Sequence, residues 1–560
     1  MLNAYKVGVI AFSIVIFGFG FFIIQQITNS DMDIEVKVIA SFSIGVVALS
    51  VIAYLLVLMT YFWTSIMRPG SYLILFLSLL LIFRAIWSGG IGIFHDLRFI
   101  GVGIFLFLIL IARLAFLKHV ILPGYSDSPI HYQVVFGFLH PEASQGARSL
   151  GNILNNYYHF GFHSLAAWLT SLTNLQPENI ISLLGQLFLV IAPISIFFLS
   201  YVLTKDMGGA MFAGLLTATG WIMPAFSVNW GKFPAQSSIA TMPAVLALMW
   251  LYWHEKAKKR VALFYVLILL FGITLLHTRI VFCVLLAALS LFLTSKLKFE
   301  DGFGFPQALR LSLLYVLSLW PLSQLLVDFY SGLPVLIVFL VLLPFAFQSY
   351  PKLSVGIFFY TFGLGLIMLT PSLLGKHVPT LIDRQFIEMM LYIPFSLMGG
   401  MGIVGLMKKI PQSNGILKWG VTIVLIGAVT FNFLQGRAAY PDACCDYVRE
   451  NDNTAFQWIQ ENVSTNTLIL IPTFKGIGTD AGVWISPLLG KKTNKLPFDL
   501  NWGSSEQFKK FCDLNAGDVF IYAGGRAYSF ANAELKKGLW TKPVFTSGQT
   551  VIYQVTECPR

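Results

Sequence analysis

Charged side chains are scarce in this sequence. Asp, Glu, Lys and Arg make up 11% of its 560 residues, against about a quarter in an ordinary soluble domain. A soluble chain so poor in charge could not cover its own surface, which excludes a cytosolic enzyme and a disordered scaffold. Cysteine is also sparse, with five residues, so this is no disulfide-dense secreted mini-domain. There is no basic cluster interleaved with aromatics, and therefore no sign of a nucleic-acid partner. The C-terminal part carries no G-x-G-x-x-G, P-loop or nucleophile elbow.

What fills the chain instead is apolar. Hydrophobic residues make up 56% of it and Phe occurs 50 times, so most of the chain is expected to use lipid as its solvent. The charge is unevenly spread. Residues 437–560 hold 25 of the 63 charged side chains, and residues 1–436 hold 38. This contrast predicts a polytopic, all-α membrane body over 1–436 and a small extracytoplasmic α/β domain over 437–560.

A span needs about 20 mostly apolar residues. Candidate spans lie at 7–27, 36–62, 71–88, 99–117, 180–203, 208–228, 236–253, 261–276, 279–295, 309–327, 333–348, 353–374, 386–407 and 416–435, which predicts about 12–14 transmembrane helices. Sidedness follows the basic short loops. His254 to Arg260, Lys296 with Lys298, and Lys408-Lys409 with Lys418 are expected inside. On that alternation 12 of the 17 Lys and Arg between 120 and 436 fall inside. Residues 118–179 and the C-terminal domain fall on the outer face. Parity places the N-terminus outside, with 85–98 (Gly89, Gly90, Gly92) the segment that could reverse it.

The outer loop 118–179 is the longest polar interruption. It begins Gly124-Tyr125-Ser126-Asp127-Ser128-Pro129-Ile130-His131 and continues to Asn155-Asn156-Tyr157-Tyr158-His159-Phe160-Gly161-Phe162-His163. Two amphipathic interfacial helices are expected, at 130–139 and 165–172. Asp127 reads either as the N-cap of the first helix, with Pro129 in its first turn, or as a general base at the water–lipid boundary; the two are compatible. His159 and His163 share one helical face. With His131 they could form a three-His metal site, although no ligand-spacing motif such as HExxH is present. They could equally hydrogen-bond to backbone, head groups, phosphate or sugar hydroxyls.

Three further outer turns are basic: Asn229-Trp230-Gly231-Lys232-Phe233-Pro234, His277-Thr278-Arg279 and Asp383-Arg384-Gln385. Each cation alone reads as snorkelling to head groups. Together with Asp127 they suggest a base and a cationic clamp for an anionic ligand such as phosphate.

A family resemblance rests on these stretches. Asp127 to His131 resembles the first-loop acidic motif of GT-C glycosyltransferases. Tyr157 to His163, Trp230 to Pro234 and His277 to Arg279 are similar to segments of bacterial and archaeal GT-C-like membrane proteins. So are Asn453 to Trp458-Ile459, Leu468 to Pro472, Ala481 to Ile485 and Leu489 to Thr493. The resemblance covers most of residues 100–560. It implies a GT-C-like body and transfer of a sugar from a polyprenyl-phosphate-linked donor to a glycan, lipid or protein acceptor, within membrane lipid. It implies Asp127 as catalytic base and Arg384 with Arg279 or Lys232 as donor-phosphate clamp, with His131, His159, His163 and His277 as substrate contacts. The 118–179 loop lacks an Asp-x-Asp pair, so no metal ligand is assigned, and this departure from the family puts a required divalent metal in doubt. Asp31-Met32-Asp33 is the one such pair in the body and reads as a solvated loop. Two other classes compete: a lipid or polysaccharide transporter or flippase, and a non-catalytic envelope assembly protein with a binding outer domain.

In the C-terminal part, 453–462 reads as an amphipathic helix. Leu468 to Ile471 and Val519 to Tyr522 read as strands, and Val544-Phe545 with Val551 to Val555 reads as a terminal hairpin. Cys444 and Cys445 are expected to bridge to Cys512 and Cys558 rather than to each other; Cys283 reads as inert packing.

Overall fold

A computed structural model describes residues 2–28, 32–60, 62–87, 97–142, 159–254, 259–296, 303–374, 382–435, 440–500, 502, 519–538 and 540–556. The expectations for Asp31, Gly89 to Gly92, Tyr157, Tyr158, Lys256, Lys298, Cys512 and Cys558 lie outside the described residues. The chain divides into two compact units. One comprises Met1–Phe116, Gly137–Ser227 and Phe233–Tyr440. The other comprises Leu117–Phe136, Val228–Lys232 and Pro441–Arg560.

The first unit is a helical body. Among the described residues seven helices are long and apolar enough to cross a membrane: Tyr5–Ile27, Ile34–Met59, Thr64–Trp87, Ile100–His119, Pro177–Thr204, Pro351–Thr370 and Arg384–Lys409. An eighth arises if Phe305–Ser318 and Trp320–Phe329 count as one span bent by 40°. Arg260–Leu276, Ile280–Lys296, Leu333–Ser349 and Gly415–Phe431 are apolar but shorter.

The count falls below the 12–14 read from hydropathy for local reasons. The run at 208–228 is no continuous span. Its α-helix Met207–Leu215 passes into a π-turn, Leu216–Gly220, and the chain is extended at Trp221. The run at 309–327 breaks at Leu319, where Pro321 cannot continue the hydrogen-bond ladder. The run at 236–253 forms the helix Phe233–His254. It does not qualify as apolar enough, because Gln236, Ser237, Ser238 and Thr241 line its first half.

Burial sorts these helices. In the most apolar stretches of Pro177–Thr204 and Arg384–Lys409, 94% of the residues are buried, against 17% in Thr64–Trp87. The latter exposes Leu73, Phe76, Leu80 and Phe83, an apolar face of the kind that lipid covers. The helix Phe160–Thr173 differs from its expected interfacial position: Gly161 to Thr170 are all buried. Its Phe160 ring stacks on Tyr54 at 5.9 Å and its Phe162 ring on Phe233 at 5.8 Å. Among its polar side chains, His163 bonds the His159 carbonyl and Thr173 donates to the Leu169 carbonyl at 2.7 Å, each one turn back. Asp33, read as a solvated loop residue, accepts a hydrogen bond from the Tyr201 hydroxyl at 2.5 Å.

The second unit contains a six-stranded mixed sheet: β1 Leu468–Phe474, β2 Ile477–Gly478, β3 Lys492–Pro497, β4 Val519–Ala523, β5 Thr541–Ser547 and β6 Thr550–Val555. β1 pairs parallel with β3 and β4; β6 runs antiparallel to β4 and β5. All five residues of β4 are buried, as a central strand of apolar residues requires. The helix Glu450–Asn462 turns Ala455, Phe456 and Ile459 inward. The Phe456 ring lies 6.2 Å from that of Tyr522 on β4.

Candidate functional site

Asp127 stands where a loop becomes a helix. Its carbonyl accepts the Ile130 and His131 amides at 3.0 and 3.1 Å, so it occupies the cap position of the helix Ser128–Leu139. Pro129 lies in the first turn, where its missing N–H costs nothing. The approach to this cap is unusual. Tyr125 has φ +65°, a left-handed conformation uncommon for a bulky residue. Its amide donates to the Cys445 carbonyl at 2.8 Å, and its ring lies 6.0 Å from Tyr447.

The segment Val228–Lys232 of the same unit supplies the partner. The Lys232 ammonium donates to Asp127 Oδ2 at 2.7 Å. The side chains are 29% and 32% exposed, so the pair is ordered but within reach of a ligand. Glycine is needed at 231: φ is +60°, and a Cβ there would lie 2.6 Å from Ser128 Oγ and 2.9 Å from the Gly124 carbonyl. His131 closes the arrangement. Its Nε2 donates to the Gly231 carbonyl at 2.9 Å. Burial pushes its pKa down to about 4, against the pull of Asp127 and of that hydrogen bond. The imidazole is therefore neutral at physiological pH and holds the two segments together. Tyr132, next along, packs edge-on against the buried Trp484 at 5.9 Å.

A third segment completes this framework. Asp442 folds the chain: its carbonyl accepts the Cys445 and Asp446 amides, and its Oδ1 accepts the Cys444 amide at 2.9 Å. Its own amide donates to Asn229 Oδ1 at 3.0 Å. Within this turn Cys444 and Cys445 are bonded to each other. That corrects the expectation of bridges to Cys512 and Cys558. The tight turn at Asp442 brings the two neighbouring side chains to one side.

The helical body holds a second polar cluster. Arg279 pairs with Asp383 Oδ2, and Asp383 Oδ1 caps the helix Arg384–Met390 through the Phe386 amide at 2.8 Å. Arg384 donates to Glu388 at 2.8 Å and lies 3.6 Å from Asp328. The His159 and His277 rings stack at 4.0 Å, and His277 meets Phe386 at 5.0 Å. His163 is fully buried and bonds the His159 carbonyl at 2.6 Å through Nδ1. That bond reaches one turn back along its own helix.

The structure thus gathers Asp127, His131 and Lys232 in one cluster, and His159, His277, Arg279 and Arg384 in the neighbourhood of Asp383 in another. His131 belongs to the second unit, where it bonds Gly231, and His159 and His163 belong to the first. Among the described residues no group of three His, Cys, Asp or Glu is placed to hold a metal ion. Glu388, Asp328, Asn229 and Asp442 were not singled out from sequence. The four-residue spacing of Arg384 and Glu388 was a usable signal for one of them; Asn229 and Asp442 are far apart in the chain and gave none.

Residues 42–320 match a family of unknown function, DUF6541. The matched stretch includes Asp127, Lys232, His277 and Arg279, and ends before Asp383 and the C-terminal sheet. Comparison with curated proteins gives no match.

Proposed function

We propose that this protein is a GT-C-type membrane glycosyltransferase that moves a sugar from a polyprenyl-phosphate-linked donor to an acceptor hydroxyl at the outer face. The observation that carries the reading is the Asp127–Lys232 pair, a partly exposed carboxylate and ammonium 2.7 Å apart. Asp127 accepts the proton of the attacking hydroxyl. As it becomes neutral, Lys232 is released to meet the negative charge growing on the departing phosphate. Positioning supplies most of the remaining rate enhancement. For Arg279 and Arg384, in the helical body, a donor-phosphate role rests on the family resemblance alone. Their carboxylate partners, Asp383 and Glu388, would have to share them with that ligand. The Cys444–Cys445 disulfide supports an oxidising, extracytoplasmic location for its unit.

The test is transfer by the full chain in liposomes containing a polyprenyl-phosphate sugar. Asp127→Asn is expected to lower transfer by roughly 10²–10⁴-fold while the protein still folds; normal transfer by that variant removes the proposed base. A second reading is a non-catalytic envelope assembly protein. It is favoured by the fact that Lys232, Arg279 and Arg384 each already have a carboxylate partner. It requires that wild-type protein show no transfer while its outer unit binds a polymer.

A further inference from the structure

The turn carrying Cys444 and Cys445 touches both segments that build the Asp127–Lys232 pair. The Cys445 carbonyl accepts the Tyr125 amide at 2.8 Å. The Asp442 amide donates to Asn229 at 3.0 Å, three residues before Lys232. Gly124 is wedged between these elements: a Cβ there would lie 2.9 Å from the Cys445 carbonyl and 3.2 Å from that of Asn229. On another side Arg526 donates to the Ala443 carbonyl at 3.2 Å. Tyr125 sits in a conformation that persists only where its surroundings over-determine it. The Cys445 carbonyl is one of those constraints. It lies just outside the small ring that the disulfide closes through the Cys444–Cys445 peptide, and that ring restrains the Cys445 N–Cα bond next to it.

We propose that the Cys444–Cys445 disulfide positions the Asp127–Lys232 pair, and that its thiol–disulfide state switches the pair between an assembled and a slack arrangement. The catalytic consequence rests on the reading of Asp127 and Lys232 given above; the conformational one does not. Cys444 is exposed, so a dithiol can reach it. The dithiol supplies two electrons and two protons. The S–S bond breaks, Cys444 and Cys445 become thiols, and the reductant leaves as its own disulfide. The freed peptide then relaxes its hold on Tyr125 and Asn229.

The test is hydrogen–deuterium exchange on the full chain in nanodiscs, with and without dithiothreitol. Reduction is expected to speed exchange across 120–128 and 228–232 by about tenfold, with β1 and β4 unchanged. C444S/C445S should show the fast exchange already and ignore the reductant. C512S/C558S should respond as the wild type does. Unchanged exchange in the two segments overturns the proposal. So does a response that survives in C444S/C445S or vanishes in C512S/C558S. In the transfer assay, reduction should lower kcat with the KM for donor unchanged. Loosened segments with unaltered kcat overturn the switch, whereas absence of transfer by the oxidised wild type overturns the glycosyltransferase reading and leaves exchange to decide the positioning.

Discussion

Two carboxylate–cation pairs stand at helix starts in this molecule, one in each unit, and they are built differently. Asp127 meets Lys232, and Asp383 meets Arg279. Asp383 also caps its own helix, and its neighbour Arg384 finds Glu388 one turn along. In that cluster the Arg384–Glu388 pair lies on one helix, whereas Asp383 and Arg279 come from segments 104 residues apart. Asp127 is held by segments remote in sequence: Gly231 through His131, and the Asp442–Cys445 turn through Tyr125 and Asn229. The lesson concerns what each can tolerate. The Arg384–Glu388 pair forms whenever its helix does, whereas Asp127–Lys232, assembled from three segments, depends on each of them.

The comparison breaks most decisively through chemistry. Asp127→Asn should lower transfer by roughly 10²–10⁴-fold, the usual worth of a general base. Arg384→Gln should cost about tenfold, a weakened but not absent phosphate contact. If Arg384→Gln costs as much as Asp127→Asn, the body cluster carries the chemistry. Transfer rates of purified variants decide.

Stability sharpens it next. Gly231→Ala should destabilise the second unit by about 2 kcal/mol or more, through the left-handed backbone and the crowding against Gly124 and Ser128. Asp383→Asn should cost about 1 kcal/mol or less, because Asn still caps the helix and the lost ion pair is partly exposed. Thermal or denaturant unfolding of each variant measures the difference.

The pH dependence of the second unit comes next. His131 is pushed below its ordinary 6.5, to about 4, by burial. Its depressed pKa means the unfolded chain binds the proton first. Its stabilising contribution is therefore present above about pH 6.5 and lost as pH falls toward 4. Asp480 behaves oppositely. Burial pushes its carboxyl up to about 7, although Ser529 and the Gly482 and Gly524 amides bind the charged form. Its contribution is full below its ordinary 3.8 and lost as pH rises through about 7. Asp480→Asn should flatten the loss of stability toward pH 7, and His131→Gln should flatten the loss toward pH 4; unfolding followed across that range tests both signs. The smallest effect is pairwise. A double-mutant cycle on Asp127 and Lys232 should give a coupling of up to about 1 kcal/mol, because both side chains are about a third exposed.

Much of this was legible in the chain itself. The helix at 128, the capping position of Asp127 and the place of Pro129 follow from local preference. The strands β1, β4 and β6 and the helix Glu450–Asn462 formed where apolar alternation and periodicity put them. Legibility failed where apolarity and geometry part. The run at 208–228 is apolar enough to suggest a span, yet its helix ends in a π-turn at Gly220. The helix at 160–173 looked interfacial, and its neighbours bury it. The disulfide eluded sequence reading because pairing depends on how the chain turns at Asp442.

Composition and periodicity determined that this chain has an apolar helical body and a separate α/β part, because the cost of placing charge or apolar surface in the wrong solvent is local and additive. They also marked Asp127, Lys232, Arg279 and Arg384 as residues out of keeping with their surroundings. Which of them meet was decided only by the tertiary structure. Asp127 and Lys232 are joined by the closing of loops about a hundred residues apart, through backbone carbonyls of Gly231 and Cys445 that any sequence presents. Such contacts carry no side-chain signature, so only the folded chain could reveal them.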